Sequence, residues 1–139
     1  MIVVAVDAST GSEVAAHKAV SLAKRLSTSV HAVHAVHIPA TVYAAMGAVP
    51  DASAEIMRLE RDAVWERIGP ILEGVDSKQV DLEGYPADAV VKYANEHEAD
   101  MIVVGSRGRG AVASLVLGST SHRLIHIAEC DLLVVKEAA

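Results

Sequence analysis

Short apolar runs alternate with longer amphipathic stretches along this chain, and that alternation limits the available folds more than any other feature. The run from Ile2 to Val6 is rich in β-branched residues and ends at Asp7, which is typical of a buried strand. Further strands are predicted at residues 29–38, 79–83, 101–104 and 132–135. Helical periodicity predicts helices at residues 14–26, 54–73, from Pro86 onward and at 119–128.

The resulting order, β-α-β-α-β-α-β-α-β, predicts an α/β fold. Helices that connect successive strands favour a parallel sheet. We therefore expect a single doubly wound (Rossmann-like) domain over residues 1–139, with a five-stranded, mostly parallel sheet and helices on both faces. One Trp, three Tyr and no Phe leave the core to Val, Ile, Leu and Ala. Residues 39–53 lack clear periodicity and are interpreted as a loop, either a lid or interface segment or a tolerated surface excursion.

Charge and cysteine content narrow the class of protein. Twelve Lys and Arg against 18 Asp and Glu give a net charge of −6, which disfavours a nucleic-acid or membrane partner. Residues 101–128 carry three Arg and no acid, so they form either a solvated basic loop or part of an anion site. Cys130 is the only cysteine, so no intrachain disulfide can form and we expect a reducing compartment. Its sequence neighbours are apolar, so we expect a buried, inert thiol. No signal peptide or long apolar segment is evident, so we expect a cytoplasmic protein.

The tip of the first predicted strand is a candidate ligand site. In open α/β sheets, ligands bind beyond the carboxyl ends of the strands, where the strand order reverses. The first strand runs into Asp7-Ala8-Ser9-Thr10-Gly11-Ser12. Ser9, Thr10 or Ser12 could cap the next helix. Capping would account for these hydroxyl side chains, but it accounts less well for an aspartate, Asp7, at the tip of the strand.

Two glycine clusters follow the fourth predicted strand. The first is Gly105-Ser106-Arg107-Gly108-Arg109-Gly110, and the second, Gly118-Ser119-Thr120-Ser121, stands where a helix should begin. Glycine lets backbone amides approach an anion closely, and the free N–H groups of a helix N-terminus favour phosphate. The pattern therefore predicts a polyphosphate site held mainly by backbone, with the two arginines available but not required.

Other kinds of site fit the sequence less well. Residues 108–113 match the dinucleotide fingerprint in form, but they follow the fourth strand and do not open a helix directly. The usual phosphate-binding loop of NTPases, Gly-x-x-x-x-Gly-Lys-Ser/Thr, is absent. His31, His34 and His37 lie on a predicted strand, where side chains alternate, so His34 should face away from the other two and metal binding is not expected. No catalytic triad can be read from Asp7, Ser9 and the histidines.

Several segments together resemble the universal stress protein family, over nearly the whole chain. They are the opening Val-Val-Ala-Val-Asp-Ala-Ser-x-x-Ser, the later Asp-Met-Ile-Val-Val-Gly-Ser-Arg-Gly-Arg-Gly and the closing Ile-Ala-x-Cys-x-Leu-Leu-Val-Val. The spacing Gly105-x2-Gly108-x9-Gly118-Ser119 is similar to the glycine pattern of the ATP-binding branch of that family. The resemblance implies ATP, with or without Mg²⁺, as the ligand.

The resemblance also implies roles for individual residues. Asp7 would hydrogen-bond the adenosine part, and residues 8–12, Ala8 and Ser9 among them, would line it. The backbone near Ala35 and Val36 would read the adenine edge. The phosphates would be held by Gly105, Gly108, Gly118 and Ser119, with Ser106, Arg107, Thr120 and Ser121 close by. A homodimer formed through residues 131–136 is implied as well; Asp131 stands where members often have Pro, which bears on the geometry of that dimer.

Three functions remain compatible with the sequence. We favour an ATP-binding regulatory or stress-response module. An enzyme that hydrolyses ATP or transfers adenylate would need a positioned base and usually a carboxylate that holds a metal, and Asp7 is the only evident carboxylate at the predicted site. A His-x-Gly-His signature for adenylate transfer is absent. The third alternative is a dimeric interaction module that does not bind nucleotide.

Overall fold

The computed structural model describes residues 1–36, 40–45, 47, 50–108 and 117–137, except for the side chains of residues 40, 42, 43 and 50–52. Its strands are β1 (Ile2–Ala5), β2 (Val30–Val36), β3 (Ser77–Glu83), β4 (Met101–Gly105) and β5 (Asp131–Val135). Its helices are α1 (Thr10–Leu26), α2 (Ala40–Ala45), α3 (Pro50–Ile68), α4 (Pro86–Glu96) and α5 (Ser119–Ile127). A 3-10 turn at Gly69–Leu72 follows α3.

The five strands form one sheet in the order β3-β2-β1-β4-β5, and every neighbouring pair is parallel. Apolar side chains on successive residues of a strand point to opposite faces. Val4 packs on the side of the sheet that holds the alanine face of α1 and Ile68 of α3. Val3 packs on the other side, against Val90 of α4 and Leu124 of α5. The predicted doubly wound α/β fold is confirmed.

The segment predicted as a loop is partly helical, which corrects the interpretation of residues 39–53. Helix α2 lies within it, and α3 already begins at Pro50. Proline fits a first helical turn because the N–H that it lacks would have no intrahelical partner there. Positions 39, 46, 48 and 49 of the predicted loop lie outside the described residues.

Element boundaries also differ from the prediction. The helix expected to reach residue 73 ends at Ile68, because Pro70 cannot continue the α-helical hydrogen bonding, and the 3-10 turn takes its place. Strand β1 ends one residue early, at Ala5, while β3 and β5 begin early, at Ser77 and Asp131. Within the described ranges, no helix has the length and apolar character needed to cross a bilayer.

Candidate functional site

A cavity of about 510 Å³ opens at the carboxyl ends of β1, β2 and β4. The strand order reverses between β1 and β4, so this is the topological switch point at which open α/β sheets bind ligands. The volume lies within the ordinary range for small-molecule sites. The lining residues are Ala5, Val6, Asp7, Ser12, Val33, His34, Ala35, Val36, Glu60, Pro86, Val90, Val104, Gly105, Arg107, Gly108, Gly118, Ser119, Thr120 and Ser121.

The loop between β1 and α1 is held by its own polar side chains. Asp7 accepts hydrogen bonds at Oδ1 from the Ser9 backbone N–H, at 2.9 Å, and from the Ser12 hydroxyl, at 2.8 Å. Ser9 caps α1 by accepting from the Ser12 N–H at 3.1 Å. Of the predicted residues in this loop, Asp7 and Ser12 line the cavity, whereas Ala8 and Ser9 do not. Ser9 therefore has the capping role that the sequence left as an alternative, and it positions the loop from outside the cavity.

The two glycine clusters meet through the backbone of Ser106. Its carbonyl accepts from the Gly118 N–H at 2.6 Å and from the Ser121 hydroxyl at 3.1 Å. Its N–H donates to the Val135 carbonyl at 2.8 Å, which ties the loop to β5. Ser106 is buried and does not line the cavity. The structure thus places the two clusters side by side, with Ser106 as the link between them and Arg107, Gly108 and Gly118 on the cavity wall.

Helix α5 points its first turn at the cavity. Gly118 is the N-cap and makes no side-chain capping bond, and the next three residues all line the cavity. The first N–H groups of a helix have no intrahelical acceptor and carry the positive end of its dipole. This turn therefore presents hydrogen-bond donors and partial positive charge, which suit a phosphate.

Close packing surrounds three glycines near the cavity, and at Gly11 and Gly105 the neighbouring atoms are backbone. A Cβ on Gly105 would lie 2.8 Å from the backbone oxygen of Gly11 in α1, and a Cβ on Gly108 would lie 2.6 Å from Oδ2 of Asp7. A Cβ on Gly11 would in turn collide with the carbonyl oxygen of Arg107. The contacts at Gly105 and Gly11 are with backbone atoms and require glycine with or without a ligand, whereas the contact at Gly108 is with the end of the Asp7 side chain, which can shift. Gly118 differs, because a Cβ there would meet Arg107 and Gly108 at an ordinary 3.4 Å.

The arginines of the basic stretch separate in the structure. Arg107 lines the cavity, but Arg123 faces α4, where it makes two hydrogen bonds of 2.9 and 2.7 Å to Asp88. This pairing holds the pKa of the Asp88 carboxyl below its usual value. Arg109 lies outside the described residues. Within the described part of that stretch, Arg107 supplies the positive charge at the cavity.

The tip of β2 forms the opposite wall. Ala35 and Val36, predicted to read an adenine edge, line the cavity and are half-buried. The sequence interpretation missed His34, which is buried and whose Nδ1 donates to the Val6 carbonyl at 3.0 Å. It also missed Glu60, Pro86 and Val90, which reach the wall from α3 and α4.

The strand histidines behave as strand alternation predicts. His31 pairs through Nδ1 with the Tyr93 hydroxyl of α4 at 2.8 Å, while His34 stacks edge-on against Trp65 of α3 on the other side of the sheet. Burial and the nearby Lys78 lower the pKa of His31. His37 lies outside the described residues. Among the residues that are described, no group of three or more His, Cys, Asp or Glu side chains is placed to hold a metal ion.

Cys130 is less enclosed than its sequence neighbours suggested. The side chain is half-buried at the start of β5. Burial raises the pKa of its thiol, which disfavours the reactive thiolate.

Fold and site together define a doubly wound α/β protein with a ligand cavity at its switch point. The family model described as "Universal stress protein family" matches residues 1–136. Universal stress protein MJ0531 of Methanocaldococcus jannaschii is 31% identical over 138 residues, which cover 98% of this chain and 81% of that protein. The chain belongs to the universal stress protein family.

Solved structures share this fold. A universal stress protein in complex with cAMP is 26% identical, with a TM-score of 0.67 and coverage of 97% of this chain and 94% of that one. The protein MJ0577 has a TM-score of 0.75 at 20% identity, and the match covers 99% of this chain and 96% of that one. The second likeness concerns the fold alone.

Proposed function

We propose that residues 1–139 form one ATP-binding domain that acts as a regulatory, stress-response module in the cytoplasm. The observation that carries this proposal is that one cavity joins an end lined by helix N–H groups and a cation to an end lined by apolar side chains. The first turn of α5 and the glycine loop after β4 form the polar end. The tip of β2 and the start of α4 form the apolar end.

At the polar end, backbone donors and one cation would hold the phosphates. The N–H groups of Ser119, Thr120 and Ser121 belong to the first turn of α5 and have no intrahelical partners. Arg107 adds a full positive charge from the facing loop. An anion at a helix N-terminus gains about 0.3–1 kcal/mol, and about 2 kcal/mol where it is partly buried. Several weak donors at fixed positions would thus act together on a polyphosphate.

At the apolar end, Val36, Pro86 and Val90 offer a surface for a flat base. Asp7 lies between the two ends and is the natural acceptor for hydroxyl groups of a ribose. The cAMP complex of a 26% identical universal stress protein supports an adenine nucleotide as the ligand class. Mg²⁺ would arrive bound to the phosphates, since it keeps several waters and binds few protein ligands.

The alternative of an ATP-hydrolysing enzyme finds less support at this cavity. Among the described residues that line it, the carboxylates are Asp7 and Glu60. Asp7 already accepts two hydrogen bonds within its own loop. A general base must reach the attacking water and be oriented for it, and this arrangement favours binding over turnover.

Calorimetric titration with ATP, ADP, AMP and cAMP, each with and without Mg²⁺, tests the proposal. We expect ATP to bind to one site per chain, and phosphate release from the same samples to stay below about 1 per second, the low end of enzyme turnover. If none of the four nucleotides binds, the chain is an interaction module that does not use nucleotide. Phosphate release above that rate would identify an enzyme instead.

We further propose a homodimer formed through residues 131–136. Strand β5 lies at the edge of the sheet, and its four apolar side chains, Leu132 to Val135, are only partly buried. The Val135 carbonyl accepts from Ser106, so Val135 directs its backbone groups toward the loop after β4. Backbone direction alternates along a strand, so Val134 directs its N–H away from the sheet. That open edge supports antiparallel pairing with a second copy, which would remove both exposed edges.

Val134→Pro should shift the protein from dimer to monomer in light scattering at about 20–50 μM, where a dimer of micromolar affinity is populated. Proline removes the outward N–H without breaking a hydrogen bond to β4. Val134→Ala, which keeps the N–H, is the matched control and should remain dimeric. A parent protein that is already monomeric at this concentration would contradict the dimer.

A further inference from the structure

Helix α5 carries two exposed histidines one turn apart, outside the cavity at the carboxyl ends of the strands. His122 and His126 are separated by four positions, and their ring centroids lie 5.0 Å apart with the ring planes at 66°. Residues four apart on a helix are neighbours on one face. Leu124, between them in sequence, is fully buried against the sheet side of the helix. Packing of Leu124 in the core therefore holds the helix that carries the two histidines.

The spacing of the two rings matches that of a chelated metal ion. A zinc–nitrogen bond is about 2.0–2.1 Å long, so each ring centroid lies about 3.2 Å from the metal. For N–metal–N angles between square and tetrahedral values, the two centroids are then about 4.5–5.2 Å apart. The observed centroid distance of 5.0 Å falls in this range.

The positive charge of Arg123, which is next to His122 in sequence, is paired and does not repel a cation at the two histidines. Arg123 is turned toward α4, and its guanidinium is engaged by both carboxylate oxygens of Asp88. Among the described residues, no third His, Cys, Asp or Glu completes a metal cluster, so water would fill the remaining coordination positions. Imidazole suits Cu²⁺, Ni²⁺ and Zn²⁺, whereas Mg²⁺ and Ca²⁺ prefer oxygen ligands.

We propose that His122 and His126 form a two-histidine surface site for a divalent transition-metal cation. The site is distinct from any Mg²⁺ bound to nucleotide phosphates. A bound ion would bridge one full turn of a nine-residue helix whose first turn lines the nucleotide cavity. A bound metal ion would thus stabilise α5, the helix whose first-turn N–H groups line the cavity.

The test is calorimetric titration of the nucleotide-free protein with Cu²⁺ and with Zn²⁺, with Mg²⁺ as the negative control. We expect one ion per chain, with Cu²⁺ bound more tightly than Zn²⁺. His122→Ala and His126→Ala should each weaken binding by about 100-fold, because the second ligand no longer acts intramolecularly. His17→Ala changes another exposed histidine, on α1, and should leave the affinity unchanged.

The side chains of His122 and His126 are both exposed, and alanine favours helix, so circular dichroism should show the variants folded. Equal Cu²⁺ affinity in the parent and in His126→Ala would overturn the proposal. Failure of both ions to bind the folded parent at about 100 μM would do so as well, since imidazole sites normally retain Cu²⁺ at that concentration.

Discussion

Replacing Gly105 by alanine is expected to lower the free energy of unfolding by about 1–3 kcal/mol, the usual cost of overpacking. The added methyl group would lie 2.8 Å from the oxygen and 2.9 Å from the carbonyl carbon of Gly11. Both atoms are backbone, so neither can rotate away. The first turn of α1 must move off β4, and the loop that holds Asp7 moves with it. Urea denaturation should show a lower midpoint with an unchanged slope.

The same chemical change at Gly118 is the matched control for stability. A Cβ there meets its neighbours at 3.4 Å, and its backbone, with φ −73° and ψ 167°, suits any residue. Alanine is a poorer N-cap than glycine, but it also reduces the entropy of the unfolded chain, and the two small effects oppose each other. If Gly105→Ala were as stable as Gly118→Ala, this result would contradict the close contact between Gly105 of β4 and Gly11 of α1.

The fold was predictable because its signals are local. Runs of β-branched residues and the alanine-rich face of α1 specify buried parallel strands and a covering helix without reference to distant contacts. The boundaries of α3 that differ from the prediction also have local causes, since Gly69-Pro70 ends this helix and Pro50 begins it. Strand ends were less predictable, because they depend on pairing with a neighbouring strand. Ser77 joins the sheet by pairing with β2, and Asp131 joins it by pairing with β4.

The cavity was predictable only in part. Residues at the strand tips and at the start of α5 could be placed by topology, and Asp7, Arg107 and Gly118 do meet there. The reason for a glycine could not be read in the same way. A Cβ on Gly105 or Gly108 would meet protein atoms that are far away in sequence, so the close packing at these positions appears only when the chain is folded.

Side chains that reach the cavity from other elements were not predictable. His34 carries no motif, and its position depends on the pairing of β2 with β1. Pro86 and Val90 read as the start and the apolar face of an ordinary helix. Glu60 belongs to α3, and nothing in its spacing indicates that this helix approaches the strand tips.

Gly118→Ala is expected to weaken the proposed ATP binding by about tenfold to 100-fold while the protein stays folded. The methyl group would lie 3.4 Å from Arg107 Cα and from the backbone nitrogen of Gly108, beside the loop that lines the cavity together with Gly118. A phosphate could no longer approach the first turn of α5 closely. The expected loss corresponds to about 1.5–3 kcal/mol, the contribution of a hydrogen bond to a charged group. Calorimetric titration of the variant beside the parent measures it.

Gly118→Ser separates this steric effect from a weaker helix cap. Serine is among the best N-cap residues, so it should strengthen the start of α5 while adding the same Cβ at the cavity wall. If steric exclusion is the cause, Gly118→Ser binds ATP as weakly as Gly118→Ala does. If loss of the cap is the cause, serine restores the affinity. Parental affinity in both variants would mean that phosphates do not approach Gly118, and that the nucleotide lies elsewhere in the cavity.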